Sequence, residues 1–328
     1  MTLLDVKNLC TEFKSKRGVV RVVDDVSFSV ERGETLAIVG ESGSGKSMTS
    51  LSIMGLVPQP GGRIASGQIL LEGSDLVSAP KEALYQIRGA DIAMVFQEPM
   101  TSLNPVLTIG EQIAEVLIYH KHLSRSAARL ESIELLKRVG FARAESLYDE
   151  YPHQLSGGMR QRVMIAIALS CNPKLLIADE PTTALDVTVQ AQILDLLRRL
   201  SADYDSGILL ITHDLGVVAE LADQVVVMYA GQIVEQAAVA DLFDYPQHPY
   251  TQGLMASVPR LDGDVKRLTS IAGNVPSPDA LPRGCRFSTR CPHAQALCVE
   301  QAPELKPVRS GQSARCFLAE GRIFKEAS

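Results

Sequence analysis

Gly40-Glu41-Ser42-Gly43-Ser44-Gly45-Lys46-Ser47 fits the spacing G-x-x-x-x-G-K-[ST] and directly follows the apolar run Leu36-Ala37-Ile38-Val39. This order predicts a buried strand, a phosphate-binding loop and the start of a helix. Its glycines let backbone N–H groups turn inward around phosphates, and the helix offers the positive end of its dipole. Lys46 is expected to reach the terminal phosphates and Ser47 to bind Mg²⁺. Flexible Gly-Ser linkers seldom place Gly-Lys-Ser between a strand and a helix, so the stretch predicts binding of ATP or GTP.

Length and composition bound the class of protein. At 328 residues the chain exceeds what one compact core usually holds, so two domains, or one domain and a tail, are expected. Its 46% hydrophobic and 21% charged residues are typical of a soluble globular protein, and no apolar stretch has the length of a membrane span. The first residues lack a basic-then-apolar leader, which predicts a cytoplasmic location. The net charge is −6 and the sequence has no dense basic stripe interleaved with aromatic residues, so nucleic acid is not an expected partner.

Hydrophobic periodicity predicts two regions besides the core sheet. Residues 3–9 and 20–30 alternate apolar and polar side chains, which is typical of half-buried strands in an antiparallel sheet. Residues 109–140 follow a helical pattern, and Gly140 is placed to end the helix. We therefore expect an N-terminal antiparallel β subdomain and a helical subdomain over about 101–155.

A parallel core sheet and a separate C-terminal module complete the predicted organisation. Two apolar runs, at 175–178 and 208–211, are separated by a helical stretch and predict buried parallel strands. Beyond about residue 259 the content of Pro, Gly and Ser rises and the periodicity fades. The fold class expected is α/β, with an ATPase domain over 1–258 and a loop-rich extension over 259–328.

Two adjacent acidic residues follow the predicted strand at 175–178. Asp179 lies where a parallel sheet presents its ligands, and Glu180 comes directly after it. An Asp that holds Mg²⁺, beside a Glu that orients and deprotonates a water, describes hydrolysis of a nucleoside triphosphate. Alone, such a pair is more often a strand end that reaches solvent. Together with the phosphate loop, it predicts a metal carboxylate and a catalytic base.

A second glycine motif separates this chain from other P-loop enzymes. Leu155-Ser156-Gly157-Gly158-Met159-Arg160-Gln161 ends nineteen residues before Glu180 and begins an apolar helix. In isolation Ser-Gly-Gly is a helix cap, and here it would form a second phosphate-binding helix end. The motif resembles the signature sequence of ABC-type ATPases. That resemblance implies that the motif of one subunit closes over ATP held by another, so hydrolysis needs a dimer. The ATP contacts implied in it are Ser156, Gly157, Gly158 and Gln161.

Other positions match the same family one by one. Gln97 resembles the glutamine that contacts Mg²⁺ and the attacking water and links the nucleotide site to the helical subdomain. Asp186, in Ala184-Leu185-Asp186, resembles part of a loop that crosses the dimer interface, and His213 resembles the histidine that contacts the γ-phosphate. Phe13 is the aromatic residue expected to stack on adenine, although a core position at a strand end is nearly as well supported. The choice of ATP over GTP follows from this resemblance.

The resemblance also completes the set of expected site residues. The catalytic residues implied are Glu180, His213 and Gln97, and the Mg²⁺ ligands implied are Ser47, Gln97 and Asp179. The remaining ATP contacts implied are Phe13, Gly40, Glu41, Ser42, Gly43, Ser44, Gly45, Lys46, Ser47 and Asp186.

Two further segments resemble the ATP-binding subunits of bacterial dipeptide and oligopeptide importers. They are Gln97-Glu98-Pro99-Met100-Thr101-Ser102-Leu103-Asn104-Pro105, with Glu98 where Asp is commoner, and His248-Pro249-Tyr250-Thr251. This resemblance covers essentially the whole chain. It implies an ATP-hydrolysing subunit that powers import of di- or oligopeptides, with composite ATP sites in a dimer. Relatives that handle nickel, glutathione or antimicrobial peptides share the second segment, so it specifies no cargo.

The partners implied are a second, homologous but distinct ATPase subunit, two integral membrane permease subunits and, indirectly, an extracytoplasmic substrate-binding protein. The location implied is peripheral, on the cytoplasmic face of the cell (inner) membrane. ATP binding and dimer closure would rearrange the membrane subunits, and hydrolysis would reset them. The helical subdomain and the segment after Gln97 are expected to dock these subunits.

Four of the six cysteines lie in the extension, with the spacing Cys285-x5-Cys291-x6-Cys298-x17-Cys316. Four thiols suit a tetrahedral zinc ion or an iron–sulfur cluster. The ligand chemistry favours the two about equally, and unliganded thiols are a third, less favoured interpretation. Dipeptide-type subunits carry a similar quartet, and the resemblance implies a 4Fe-4S cluster. Nearby arginines could offset its negative charge; they are Arg283, Arg286 and Arg290.

Two functions of other classes stay open at this point. One is a non-transport ABC ATPase that acts in DNA repair or translation, but the chain shows a single cassette and no basic stripe. The other is a redox-responsive binding module with vestigial ATP binding, but both Glu180 and His213 are present. Transport of peptides is therefore the function expected first.

Overall fold

The computed structural model describes residues 2–15, 18–98, 102–183, 185–257 and 270–322. The chain divides into two compact units. The helix-rich unit consists of Met1–Leu3, Val30–Glu34 and Ser78–Ile211, and the phosphate-loop unit of Leu4–Ser29, Thr35–Val77 and Thr212–Ser328. The domain boundary predicted near residue 259 falls outside the described residues.

An antiparallel sheet forms one part of the phosphate-loop unit. Its strand order is β2-β1-β4-β5, and its strands are β1 (Thr2–Ser15), β2 (Gly18–Glu31), β4 (Gly62–Leu71) and β5 (Ser74–Asp75). Alternate side chains of β2 are buried, including Val26, Phe28 and Val30. The period of two that the sequence shows there therefore reflects a sheet with one buried face, and the predicted antiparallel β subdomain is confirmed.

The same unit contains five strands in the order β11-β12-β10-β9-β3. These strands are β3 (Thr35–Val39), β9 (Gln224–Tyr229), β10 (Gln232–Ala238), β11 (Lys306–Arg309) and β12 (Gln312–Ala314). Strand β3 pairs with β9 in parallel, and the remaining pairs are antiparallel. The extension, which the sequence predicted to be loop-rich, thus contributes β11 and β12 to a sheet.

Within its described residues, the phosphate-loop unit contains five helices: α1 (Lys46–Ile53), α8 (Leu215–Leu221), α9 (Val239–Asp244), α10 (Pro249–Ala256) and α11 (Ala296–Glu300). One hydrophobic core joins the strands to the extension, since Val39, Val227 and Tyr229 share it with Tyr250 and Phe287. The extension is therefore packed on the same core as the strand that precedes the phosphate loop.

The helix-rich unit contains three parallel strands, β6 (Ile92–Val95), β7 (Leu175–Asp179) and β8 (Gly207–Thr212), in the order β8-β7-β6. Its helices are α2 (Lys81–Ile87), α3 (Ile109–Lys121), α4 (Arg125–Arg138), α5 (Ala144–Leu147), α6 (Gly157–Leu169) and α7 (Val187–Tyr204). A 3₁₀ turn at Pro152–Gln154 precedes α6. The two apolar runs predicted as parallel strands are β7 and β8.

Local capping explains where the helical segment breaks. Thr108 and Glu111 form a reciprocal capping box at the start of α3. His122 ends that helix in the left-handed region, with φ of 54°, and Ser124 caps α4 by accepting from the Ala127 N–H. The segment at 109–140 is therefore two helices. Within the described residues, no helix is long and apolar enough to cross a membrane.

Candidate nucleotide site

The phosphate loop joins the fully buried strand β3 to helix α1 and has a backbone that only glycine fits at two positions. Gly40 and Gly45 have φ values of 156° and 103°. A Cβ at Gly40 would lie 2.3 Å from the carbonyl oxygen of Met228, and one at Gly45 would lie 2.8 Å from that of Val22. Glycine is required there because the loop runs against neighbouring backbone.

A buried cation and a buried hydroxyl lie in this loop. Lys46 is buried, with 5% exposure, and its Nζ donates to the carbonyl oxygens of Gly40 (2.7 Å) and Glu41 (3.1 Å). Oγ of Ser44 is buried and has no hydrogen-bond partner among the described residues. Ser47 lies in the first turn of α1. A buried ammonium, an unpartnered donor and a helix N-terminus together suit a polyanion such as a triphosphate.

Glu180 lies in a strained conformation just beyond β7. Its φ is 48°, in the left-handed region that a non-glycine residue adopts at a cost of about 1–3 kcal/mol. Hydrogen bonds from neighbouring elements hold it there. The Glu180 N–H donates to the Ile211 carbonyl (2.8 Å), and Oε2 accepts from Nε2 of Gln97 (2.9 Å) and Oγ1 of Thr183 (2.8 Å). Asp179, the last residue of β7, is buried beside it. Sequence analysis singled out Gln97 but missed Thr183, for which no motif gives a signal.

The Ser-Gly-Gly motif opens helix α6, as its sequence indicated. Ser156 caps the helix by accepting from the Met159 N–H (3.3 Å). A Cβ at Gly158 would lie 2.7 Å from Cγ1 of Val189, which explains glycine at that position. Ser156 and Gly157 are exposed, whereas Gln161 is only 2% exposed. The helix end is therefore open to a ligand, and Gln161 points into the fold.

The other expected ATP contacts lie on three separate elements. Phe13 is a half-buried residue of β1. Asp186 is exposed and caps α7 by accepting from the Val189 N–H (3.0 Å), whereas Ala184 lies outside the described residues. His213 is exposed between β8 and α8, and the next residue, Asp214, caps α8. The structure brings Gln97 and Glu180 together in the helix-rich unit and gathers residues 40–47 in the phosphate-loop unit.

The four cysteines of the extension line one small cavity rather than a metal centre. The cavity measures about 20 Å³, room for about one water molecule, and Phe287 and Phe317 form part of its wall. Burial raises the pKa of the Cys285 thiol to about 12 and that of Cys291 to about 11. Burial therefore favours the neutral thiol of these two side chains over the thiolate, which is the form that binds metals.

The prediction of a 4Fe-4S cluster is wrong. Across the described ranges, no group of three or more His, Cys, Asp or Glu is placed to hold a metal ion, so the zinc alternative has no site either. Two of the three arginines expected to offset a cluster charge have other partners, since Arg286 pairs with Asp24 and Arg290 with Glu41. The residues predicted as cluster ligands were Cys285, Cys291, Cys298 and Cys316.

Comparison with known proteins identifies the family. Residues 23–183 match the family model of ABC transporters, and residues 234–298 match that of the C-terminal region of oligopeptide/dipeptide transporters. The oligopeptide transport ATP-binding protein AppD of Bacillus subtilis is 61% identical over 97% of each chain. The chain belongs to the ABC transporter family. Within that family it groups with oligopeptide transport ATP-binding proteins, since OppD of Haemophilus influenzae is also 51% identical over 97% of each chain.

Solved structures of other ABC cassettes share the fold. The dimeric structure of MJ0796, a bacterial ABC transporter cassette, has a TM-score of 0.65 and 28% identity and covers 72% of this chain and 98% of that one. CbiO1 of Clostridium perfringens, part of the ABC transporter complex cbiONQ, has a TM-score of 0.62 and 29% identity, covering 74% and 91%. The predicted α/β fold of an ABC ATPase and its ATP-hydrolysing activity are confirmed.

Proposed function

We propose that this ABC ATPase powers import of di- or oligopeptides through separate integral membrane subunits. The observation that carries the proposal is the match of residues 234–298 to the C-terminal region of oligopeptide/dipeptide transporters, which lies outside the match to the ATPase cassette. The names of the relatives AppD and OppD support it, because the similarity spans 97% of each chain.

The site residues take the following roles in this proposal. Lys46 and the loop amides hold the triphosphate, and Ser47 and Asp179 hold Mg²⁺, which would neutralise phosphate charge. Glu180 accepts a proton from the attacking water, and Gln97 orients that carboxylate through their hydrogen bond. His213 contacts the γ-phosphate. The open N-terminus of α6 at Ser156 and Gly157 covers the nucleotide of another subunit.

Assembly is part of the same proposal. The partners are a second, homologous ATPase subunit and two permease subunits, with an extracytoplasmic binding protein that delivers peptide. Two dimeric structures of MJ0796 support a dimer of cassettes, and one of these two structures is bound to ADP and phosphate. The chain then sits peripherally on the cytoplasmic face of the membrane, with an ATPase domain over about 1–258 and the extension after it.

Reconstitution tests the proposal. The chain is purified in complex with the membrane subunits and second ATPase that it binds, and uptake of a labelled dipeptide and a labelled pentapeptide into proteoliposomes is measured with and without ATP. We expect ATP-dependent uptake of peptide and faster ATP hydrolysis than by the isolated chain. Complexes with Glu180→Gln provide the matched control, which assembles but does not turn over. Uptake of Ni²⁺ or glutathione without either peptide would contradict the proposed cargo, and full turnover by the isolated monomer would contradict the composite site.

A further inference from the structure

One arginine of the extension is fully engaged with the phosphate loop and its surroundings. The Arg290 side chain is 3% exposed, and Nη1 and Nη2 form a bidentate pair with the Glu41 carboxylate at 2.7 and 3.0 Å. Nε donates to the Ala272 carbonyl (2.9 Å), Nη2 also donates to the Ile271 carbonyl (3.3 Å), and Nη1 to Oη of Tyr229 (3.4 Å). The planar guanidinium thus uses five donor directions, a pattern that a lysine could not reproduce.

The backbone of Glu41 is held by helix α10, which precedes the extension. Its N–H donates to Oη of Tyr250 (2.8 Å), a fully buried residue in the first turn of α10. The Tyr250 ring packs on those of Tyr229 and Phe287, with centroids 4.7 and 5.4 Å apart. This loop N–H is therefore directed at α10, which packs on Phe287 of the extension.

A second arginine supports the opposite end of the loop. Arg286 donates to the Ala230 carbonyl and forms an ion pair with Asp24. Gly231, which follows Ala230, donates its N–H to the Ser44 carbonyl (2.8 Å) and accepts from the Asp24 N–H (2.8 Å). The segment 286–290 of the extension is thus connected to both Glu41 and Ser44, three residues apart in the phosphate loop.

The charge of Glu41 gives these contacts a consequence for nucleotide binding. A carboxylate beside the loop that receives a triphosphate would repel it, and partial burial weakens the screening of that repulsion. The Glu41 side chain is 32% exposed and is neutralised by the bidentate arginine. Arg290 therefore removes a repulsive charge and fixes the loop residue that carries it.

We propose that Arg290 is a positioning residue of the nucleotide site, through which the C-terminal extension sets the affinity of the phosphate loop for MgATP by neutralising and anchoring Glu41. Because such coupling is reciprocal, bound MgATP in turn stabilises the extension against opening. The inference requires that the loop binds MgATP and does not depend on which cargo is transported.

A set of charge variants of the full chain tests the proposal by calorimetric titration with MgATP. Arg290→Ala should weaken binding by roughly 5- to 150-fold, the usual range of coupling between sites. Arg290→Ala combined with Glu41→Gln should recover much of that loss, because the unpaired carboxylate is gone. Arg283→Ala, a change of an exposed arginine three residues before this segment, should bind as the wild type does.

Thiol labelling supplies a second readout in the reverse direction. Maleimide labelling of Cys291, next to Arg290 and half-buried, is followed by mass spectrometry of its peptide with and without MgATP. Saturating MgATP should slow the labelling of Cys291 in the wild type and in Arg283→Ala. It should not slow this labelling in Arg290→Ala. Three results would each overturn the proposal: wild-type affinity in Arg290→Ala, no recovery in the double variant, or equal protection of Cys291 by MgATP with and without Arg290.

Discussion

Nε2 of Gln97 donates a 2.9 Å hydrogen bond to Oε2 of Glu180, although the two residues are 83 positions apart. The pairing of β6 with β7 explains this contact. Val95 is opposite Ala178 in the parallel register, and Gln97 and Glu180 each lie two positions beyond the residue of that pair on their own strand. Parallel strands present their carboxyl ends at one edge, so the sheet itself brings the amide to the carboxylate.

Glu180→Gln tests the carboxylate of this pair. The variant keeps the size of the side chain and an oxygen that can accept from Thr183, but it removes the proton acceptor. We expect MgATP binding within a fewfold of wild type and a fall in turnover of roughly 100- to 10,000-fold, the usual contribution of a general base. Equilibrium binding and steady-state phosphate release by the assembled complex are the measurements. Near-normal release would exclude Glu180 as the base.

Gln97→Ala tests the amide of the pair. Loss of a hydrogen bond to a charged group costs about 1.5–3 kcal/mol, and if the bond serves to orient Glu180, turnover should fall by about 10- to 100-fold. Binding of MgATP should change less than turnover does. Gln86→Ala, whose amide bonds to Tyr119 on the surface, is the matched control and should keep full turnover. A loss confined to KM would instead assign Gln97 to nucleotide binding.

Lys46→Ala should act on binding itself. The buried ammonium bonds to two loop carbonyls and lies in the loop where the phosphates are proposed to bind. Because hydrogen bonds to charged groups contribute about 1.5–3 kcal/mol, we expect the affinity for MgATP to fall by about 10- to 100-fold. Titration calorimetry measures it. Lys174→Ala removes an exposed lysine paired with Asp91 and should leave the affinity unchanged. Equal affinities for the two variants would contradict the assignment of Lys46.

Sequence patterns predicted those parts of the fold that local chemistry determines. The run at 36–47 predicted strand, loop and helix because glycine at tight turns and apolar residues in buried strands are local requirements. Strands β11 and β12 could not be predicted. Both strands are short, β11 begins with Lys306-Pro307, and alternate residues of β11 are exposed. They form strands because β12 pairs with β10 and β11 pairs with β12, not because their residues have a high strand propensity.

Long-range partners account for what the sequence left open or got wrong. The left-handed φ of Glu180 has no sequence signal, because Gln97 and Ile211 impose it from other strands. The count of four cysteines suggested a metal, but two of them, Cys285 and Cys298, pack against Phe317 in an apolar cluster. The spacing of cysteines along the chain does not show how buried each thiol is, and the sequence does not show which carboxylate an arginine pairs with. Burial and pairing determine whether these groups can serve a metal site.

His248 makes the N-terminus of α10 sensitive to acid. Its Nδ1 accepts from the Tyr250 N–H (3.0 Å), which caps α10, and complete burial lowers the pKa of His248 from its ordinary 6.5 to about 3. Between those values the unfolded chain binds a proton that the folded chain cannot. This contribution to stability is therefore fully present above pH 6.5 and is lost as the pH falls toward 3.

His248→Gln should flatten that dependence, because it removes the titrating group while an amide oxygen can still cap the helix. Differential scanning calorimetry between pH 7.5 and 5 should show the free energy of unfolding of the wild type falling by up to about 1.4 kcal/mol per pH unit more steeply than that of the variant. Burial raises the pKa of Glu235, which accepts from the His248 N–H, and works in the opposite direction because the folded chain then binds the extra proton. That opposing effect is common to both proteins, so the difference between their slopes belongs to His248. Parallel slopes would show that His248 is protonated in the folded chain, and the acid sensitivity of the α10 cap would then be disproved.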